Sequence, residues 1–339
     1  MLVVWGNYFH WGERVSQELT VIIVNYNSAA MTVDCLESFL EDESFKALSA
    51  KAIVVDNATP ADDAAVLDRA IEQRGWRDRA ALLALSENGG FSAGNNRGIV
   101  KADALWGKSK FYLLLNPDTI CRAKAISNLL DFMRARPDVG IAGSRLEHPD
   151  GTEQACAFRF PTIISEFEAN LRFGPVSRLL DGWRVAPDLP EQTSRVDWVS
   201  GASLIFRQEV LADIGLLDED FFLYYEELDF CLRAARAGWP CWHVPESRVV
   251  HLVGQSTGVT DPDAPRRRRP AYWFRARRHF FVKNHGALYA VGADLAWLFG
   301  QIGCNIRQLI HPNPPNDPPR FISDFIRHSW FGERRGTKA

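Results

Sequence analysis

The chain contains no CxxC pair, no GxxxxGKS or GxxxxGKT stretch and no GxGxxG after its first apolar run. Each absence excludes something. Six cysteines (Cys35, Cys121, Cys156, Cys231, Cys241, Cys304) without short regular spacing exclude a zinc ribbon or disulfide framework and fit reduced thiols in a cytosolic setting. Without the two glycine motifs, a nucleotide cannot be held by a P-loop or a dinucleotide fold. No run reaches the length of a bilayer-spanning helix; the nearest, GALYAVGADLAWLFG, carries Asp294, which argues against a transmembrane segment. The opening MLVVWGNYFHWGERVSQ lacks a basic start, a long apolar core and a small-residue cleavage site, so it does not read as a signal peptide. There is no internal repeat.

What is present is an ordinary globular composition, 46% hydrophobic and 24% charged with a net charge of −3, hiding an asymmetry. From Arg266 onward 14 Lys and Arg face 4 Asp and Glu. A basic, aromatic tail on an acidic body points to an anionic surface as partner, either lipid headgroups or nucleic acid. Before it, apolar runs alternate with helical spacing: TVIIV, KAIVVD, AALLAL and KFYLLL read as strands, each followed by a helix. This order predicts an α/β fold, a mostly parallel sheet flanked by helices, with ligands at the carboxyl ends of the strands. VGIAG, VDWVSGASLIF and SRVVHLVG read as further strands, RLEHPDGTEQ as a hairpin and 161–195 as irregular. YYEELDFCLRAARAG reads as a helix closed by Gly238. A boundary is expected in GVTDPDAPRRRRP, residues 258–270, followed by a helical region.

All four strand ends carry polar side chains or bare backbone: NYN with Asn25 and Asn27, DNATP with Asp56, ENGGFSAGNNRG, and NPD with Asn116 and Asp118. Asp56 can accept from a pyrimidine N–H, and a helix from about Ser92 can aim its positive end at a diphosphate. Asn116-Pro117-Asp118 has two readings, a turn capping the next helix or a carboxylate for a divalent cation that also bridges phosphates. Glu226, Glu227 and Asp229 begin a helix behind the aromatic FFLYY, a setting that desolvates a carboxylate and raises its pKa toward a working base. His251, after Val249 and Val250, is either structural or a metal ligand.

Seven segments occur in order: TVIIVNYNS, IVVDNAT, ENGGFSAGNNRGI, LLLNPDT, VDWVSGASLIFRQEV, FFLYYEELDFCLRAARAGW and VVHLVGQSTG. Together they resemble the inverting, GT-A-fold glycosyltransferases of family 2, most closely the rhamnosyltransferase-like branch, over about residues 20–285. The resemblance implies an N-terminal extension at 1–19, a GT-A catalytic domain at 20–260 and a basic, aromatic C-terminal helical region at 261–339. It implies that Asp56 contacts the nucleobase, that Asn88, Gly90, Asn95 and Asn96 contact nucleotide and sugar, and that Asn116 stands on the donor side. Asp118 and His251 would bind Mg2+ or Mn2+. Trp198, Ser200, Gly201 and Ala202 would line the acceptor and sugar pocket, with Glu227 as the base. The family pattern at that position is Glu-Asp and this chain has Glu-Glu, which moves the carboxylate by about 1.5 Å and brings Glu226 into consideration. The implied partners are a dTDP- or UDP-linked sugar, a glycan or polyprenyl-diphosphate-linked acceptor, and an anionic membrane met through 266–300; a homo-oligomer is compatible, and nucleic acid is not expected. In the membrane reading, Arg266–Arg269, Arg275, Arg277, Arg278 and Lys283 meet headgroups while Trp273, Phe274, Phe280, Phe281 and Trp297 enter the interface. The rival functions are a sugar nucleotidyltransferase, which would need a basic glycine loop where NYNSAAM stands, and a non-catalytic nucleotide-sugar-binding module.

Overall fold

The computed structural model describes residues 17–252, 267–310 and 317–329. The N-terminal extension up to residue 16 and most of the expected linker lie outside them.

Strand β1 (Gln17–Asn25), helices α1 (Ala29–Leu40) and α2 (Glu43–Lys46), β2 (Ala50–Asp56), α3 (Asp63–Gln73), β3 (Ala80–Ala84), α4 (Gly90–Trp106) and β4 (Ser109–Leu115) form the first half. The four strands pair in parallel in the order β3-β2-β1-β4. Their apolar runs are continuous because both faces are covered. Alternate residues feed two cores: Val21, Val54 and Leu113 pack with α1 and α3, whereas Ile22, Ile53 and Leu114 pack with α4. The four strands and helices α1, α3 and α4 match the sequence expectation, with β1 beginning at Gln17 rather than Thr20 and α4 at Gly90 rather than Ser92, whereas the short α2 is not part of that expectation.

The second half departs from it. The chain continues through β5 (Thr119–Cys121), α5 (Ala125–Ala135), β6 (Ile141–Glu147), β7 (Ala157–Phe158), α6 (Ile163–Leu171), α7 (Gly174–Leu179), β8 (Ser194–Val196), β9 (Trp198–Val199), β10 (Ser203–Arg207), α8 (Gln208–Ile214), α9 (Glu226–Arg236) and β11 (Cys241–His251). The sheet order runs on as β10-β6-β11-β5, with β10 antiparallel to both β4 and β6. VDWVSGASLIF is therefore not one strand; it breaks at Ser200–Ala202, where Ser203 N donates back to Ser200 O at 3.4 Å. The stretch 161–195 is not wholly irregular either. Thr162 and Ser165 cap each other's backbone and start α6.

Helices α10 (Ala271–His285), α11 (Ala287–Ile310) and α12 (Phe321–His328) follow. They pack on the sheet domain through an ion-paired seam. Arg277, buried, reaches Glu166 at 2.8 Å and Asp294 at 2.6 Å. Gly300 lets α11 lie against α6, since a Cβ there would sit 2.5 Å from Phe167 O. This corrects the membrane assignment of individual residues. Arg277, Phe274, Phe280, Phe281 and Trp297 are core residues, because the aromatic rings pack on one another and on Phe321 and Phe325 instead of facing outward. Among the described residues, α11 is the one helix long and apolar enough to cross a membrane, and its Asp294 is spent on Arg277.

Candidate active site

The polar strand ends converge at the carboxyl edge of the sheet, and most of their hydrogen bonds run between one another. Asn25, fully buried at the end of β1, donates to Asp56 Oδ1 at 2.8 Å and to Asp63 Oδ2 at 3.0 Å. Its Oδ1 accepts from Ser28 and Thr32. Asn25 is thus the strut that fixes Asp56, with no side-chain capacity left for a ligand. Asn27 is exposed in the left-handed region, φ 54°. Thr59 closes the ring, donating to Asp56 Oδ1 at 2.7 Å.

The third strand end is organised by a residue outside the sequence-derived set. Asn57 donates to Asn88 Oδ1 at 2.8 Å and to Gly90 O at 3.0 Å, while Asn88 Oδ1 also accepts from Gly90 N. Gly90 has φ +84°, and a Cβ there would sit 2.2 Å from Phe222 O. The glycine turn therefore presses directly on the aromatic segment that precedes the glutamates. Phe91 N donates to Phe222 O at 2.8 Å, so the first N–H groups of α4 are used internally rather than left for a diphosphate. Asn95 donates within its own helix, and Asn96 binds Leu217 and Glu219, tying the 217–219 loop to α4. Among the described residues, two buried atoms at this turn have no hydrogen-bond partner: Asn57 Oδ1 and Ser92 Oγ. Asn57 could have been found, since it adjoins Asp56 at a strand end.

Asn116-Pro117-Asp118 does not cap a helix. It turns from β4 into β5, which pairs antiparallel with β11 so that Thr119 lies opposite His251. That register brings His251 Nε2 to 3.5 Å from the buried Asp118 Oδ1 and 3.4 Å from Asn116 Nδ2. Gln154 holds the His251 carbonyl at 2.7 Å. A carboxylate oxygen and an imidazole nitrogen at this spacing, one buried and one partly open, fit a divalent cation such as Mn2+ or Mg2+ that also takes phosphate oxygens. A second cluster, Asp218, Asp220 and His279, also gathers possible ligand atoms. There Lys283 Nζ already lies 2.7 Å from Asp218, so a side-chain cation neutralises the group.

The acceptor-side residues connect the two ends of the site. Asn116 N donates to Ala202 O at 3.0 Å, and Gly201 backs onto Glu227. Ser200 Oγ accepts from Ala202 N at 3.3 Å. Trp198 stacks on Phe158 at 4.2 Å and donates to Arg159 O. Glu226 is buried and Glu227 partly so, and their Oε2 atoms have no hydrogen-bond partner among the described residues. Burial pushes the Glu226 carboxyl well above the usual carboxylate range, and Glu227 beside it adds to the shift. Burial raises Glu227 as well, against the pull of backbone amides including that of Gly201. The chain enters α9 through Tyr224 and Tyr225, both in the left-handed region at φ 73° and 72°. Each costs about 1–3 kcal/mol, and unpartnered buried acceptors cost a similar amount. Strain and desolvation are thus stored at one point, as at a site built for chemistry.

Helix α10 holds that point in place. Tyr272 stacks on Tyr224 at 6.1 Å, and Trp273 meets Tyr225 edge-on. Asp229, fully buried in the first turn of α9, accepts from Arg233 at 2.8 Å, Lys283 at 2.8 Å and Asn284 at 2.9 Å. Burial alone would raise the Asp218 carboxyl, but Lys283 and His279 outweigh it and hold it down to about 2.

The sheet order, with β10 antiparallel between β4 and β6 in an otherwise mostly parallel sheet, is of the GT-A type. Residues 16–278 match the family model described as glycosyltransferase like family 2, and the chain belongs to that family of glycosyltransferases. It is 29% identical over 208 residues to an N-acetylglucosaminyl-diphospho-decaprenol L-rhamnosyltransferase of Mycobacterium tuberculosis, covering 58% of this chain and 67% of the relative. It is 28% identical over 233 residues to a low-salt glycan biosynthesis hexosyltransferase of Haloferax volcanii, covering 66% of this chain and 64% of that one. The chain thus spans about two thirds of the length of these relatives. In fold it is similar to a mannosyltransferase from Pyrobaculum calidifontis solved with GDP-Man and Mn2+, at a TM-score of 0.54 and 16% identity over 89% of this chain and 80% of that one.

Proposed function

We propose that this glycosyltransferase moves a sugar, L-rhamnose from dTDP-rhamnose in the first instance, onto a hydroxyl of a polyprenyl-diphosphate-linked glycan, with inversion at the anomeric carbon. The observation that carries the reading is the Glu226–Glu227 pair, whose buried Oε2 atoms have no hydrogen-bond partner among the described residues, set against Gly201 and linked through Ala202 and Asn116 to Asp118 and His251. Rhamnose and the lipid-linked acceptor are supported by the name of the Mycobacterium tuberculosis relative.

Each residue then has a task. Glu227 takes the proton of the acceptor hydroxyl, whose oxygen attacks the anomeric carbon as the bond to the diphosphate breaks. Its raised pKa makes it a stronger acceptor of that proton than an exposed carboxylate. Glu226 keeps a second acid beside it, so the pair carries at most one full charge cheaply in this desolvated place. Asp56, braced by Asn25 and Thr59, faces the base, and the Asn57–Asn88–Gly90 turn shapes the pocket for the nucleoside. What a divalent cation supplies, when held by Asp118 and His251, is charge neutralisation on the diphosphate.

The same reading seats the enzyme on an anionic membrane. Leu288, Leu295, Phe299, Ile302, Ile306 and Leu309 form an exposed apolar stripe along α11, seven residues apart at first and then alternately four and three, the spacing of one helix face. Exposed cations of the same module, Arg267, Arg275 and Arg320 among them, complement acidic headgroups. The deciding experiment is a transfer assay over dTDP- and UDP-sugars with Mn2+ or Mg2+, run with Glu227→Gln and Asp118→Asn. Retained transfer in both variants would sink the assignment.

A further inference from the structure

Beside the aromatic segment that leads to Glu226, the first turn of α10 and the outer face of α12 enclose a cleft of about 410 Å³. Its walls are strongly cationic: Arg268, Arg269, Arg327 and His328, with one carboxylate, Asp324. That carboxylate is spoken for, since Arg268 Nε donates to Asp324 Oδ2 at 2.6 Å and a second contact makes the pair bidentate. Among the described residues Arg269 and Arg327 have no carboxylate partner, so about two guanidinium charges face the cleft uncompensated. Arg269 is not a loose surface chain. Its guanidinium lies over Trp273 at 4.6 Å and Phe321 at 5.8 Å, which fixes its plane beside the cleft. The positive end of α10, a 15-residue helix beginning at Ala271, adds to the same field.

Position decides what this charge is for. Tyr272, one residue past the cleft wall, packs on Phe222 and Tyr224; Trp273 packs on Tyr225. Glu226 follows Tyr225 directly. The cations therefore lie next to the residues of α10 that pack on the aromatic segment before Glu226, whereas none of the cleft's lining residues belongs to the Asp118–His251 turn.

We infer that this cleft is an anion site for the diphosphate of the acceptor, held by Arg269 and Arg327 with Arg268 as support. Guanidinium forks match phosphate oxygens in geometry as well as charge, and two of them fit a diphosphate better than a single phosphate. The inference rests on the sugar-transfer reading for the identity of the diphosphate, and on the cleft alone for the preference for it.

The test uses the full chain in EDTA, so that metal-bound diphosphate does not contribute. Calorimetric titration with inorganic pyrophosphate should show binding that weakens at least tenfold in Arg327→Glu and in Arg269→Gln, and more in the pair. Arg327 is exposed on α12, so its replacement leaves folding intact, checked by circular dichroism. In transfer assays with a short-chain, water-soluble diphosphate-linked acceptor, the KM for acceptor should rise about tenfold while the KM for donor stays put. Pyrophosphate binding that the substitutions leave unchanged overturns the cleft as an anion site. Variants that lose anionic-vesicle binding but keep the KM for the soluble diphosphate acceptor overturn the acceptor assignment in favour of a lipid headgroup. Should no sugar transfer be found at all, the pyrophosphate titration still decides the cleft, and the enzymatic reading falls separately.

Discussion

Asp118 and His251 approach to 3.5 Å because β5 pairs with β11 in a register that sets Thr119 opposite His251. Asn116 beside them carries no charge, so a cation there leans on one carboxylate, one imidazole and whatever the donor brings. We expect Mn2+ binding, followed by electron paramagnetic resonance, to be weak alone and at least tenfold tighter with a nucleoside diphosphate. Asp118→Asn should abolish that synergy. Equal affinity with and without nucleotide would refute the shared coordination.

The acid pair should be visible in pH profiles. A base must be deprotonated to work, so a raised Glu227 pKa moves the acid limb of kcat/KM above the ordinary carboxylate range. Glu227→Gln should remove activity. Stability gives the complementary sign. A carboxyl raised on folding binds more protons in the folded state, so stability is lost as pH climbs from about 4.5 through the raised value. Glu226→Gln should therefore raise Tm at pH 8 and give no such gain at pH 4.

Two glycines at the site should respond differently to alanine. Gly90→Ala places a Cβ against Phe222 O at a positive φ, so it should cost about 2–4 kcal/mol and displace the aromatic segment. At Gly201 a Cβ would meet Glu227 no closer than 3.6 Å, ordinary contact. Gly201→Ala should leave Tm almost unchanged. Denaturant titration of both variants checks the ranking.

Lys283→Met leaves Asp229 fully buried with only Arg233 and Asn284 to answer its charge. The Lys283 side chain is 29% exposed, which discounts the loss relative to a fully buried pair, to about 2 kcal/mol. Because Asp229 anchors the first turn of α9, kcat should fall with little change in the KM for donor. A variant with lower stability and an unchanged kcat would make the clamp purely structural.

On α11, Phe299→Glu with Ile306→Glu should weaken sedimentation with anionic vesicles at least tenfold, without changing Tm by more than a degree or two, since both side chains face outward. If the stripe instead joins two copies, the same pair would shift the mass measured by light scattering and leave vesicle binding alone.

The sequence makes the first half of the fold plain, because strands covered on both faces leave unbroken apolar runs that end in polar turns. It cannot show that β10 inserts antiparallel between β4 and β6, since the pairing partner of an apolar strand is not written locally. The same holds at the site. Asp56, Asp118, Glu227 and His251 can be picked out from their positions at element ends. Asn25 and Asn96 look like ligand groups for the same reason, yet their side chains are consumed in bracing the loops. The Lys283–Asp229 bond spans 54 residues, and no local pattern announces it.

That bond also sets an order of events during synthesis. The strand ends proposed to hold the nucleoside are complete once the ribosome has passed β4, but α9 cannot be clamped until α10 has emerged about fifty residues after it. A nascent chain or a proteolytic fragment ending near residue 260 would therefore hold the donor-side loops while its two glutamates sat on an unanchored helix. Sugar transfer would be switched on by translation of the last helices, well after the sheet exists.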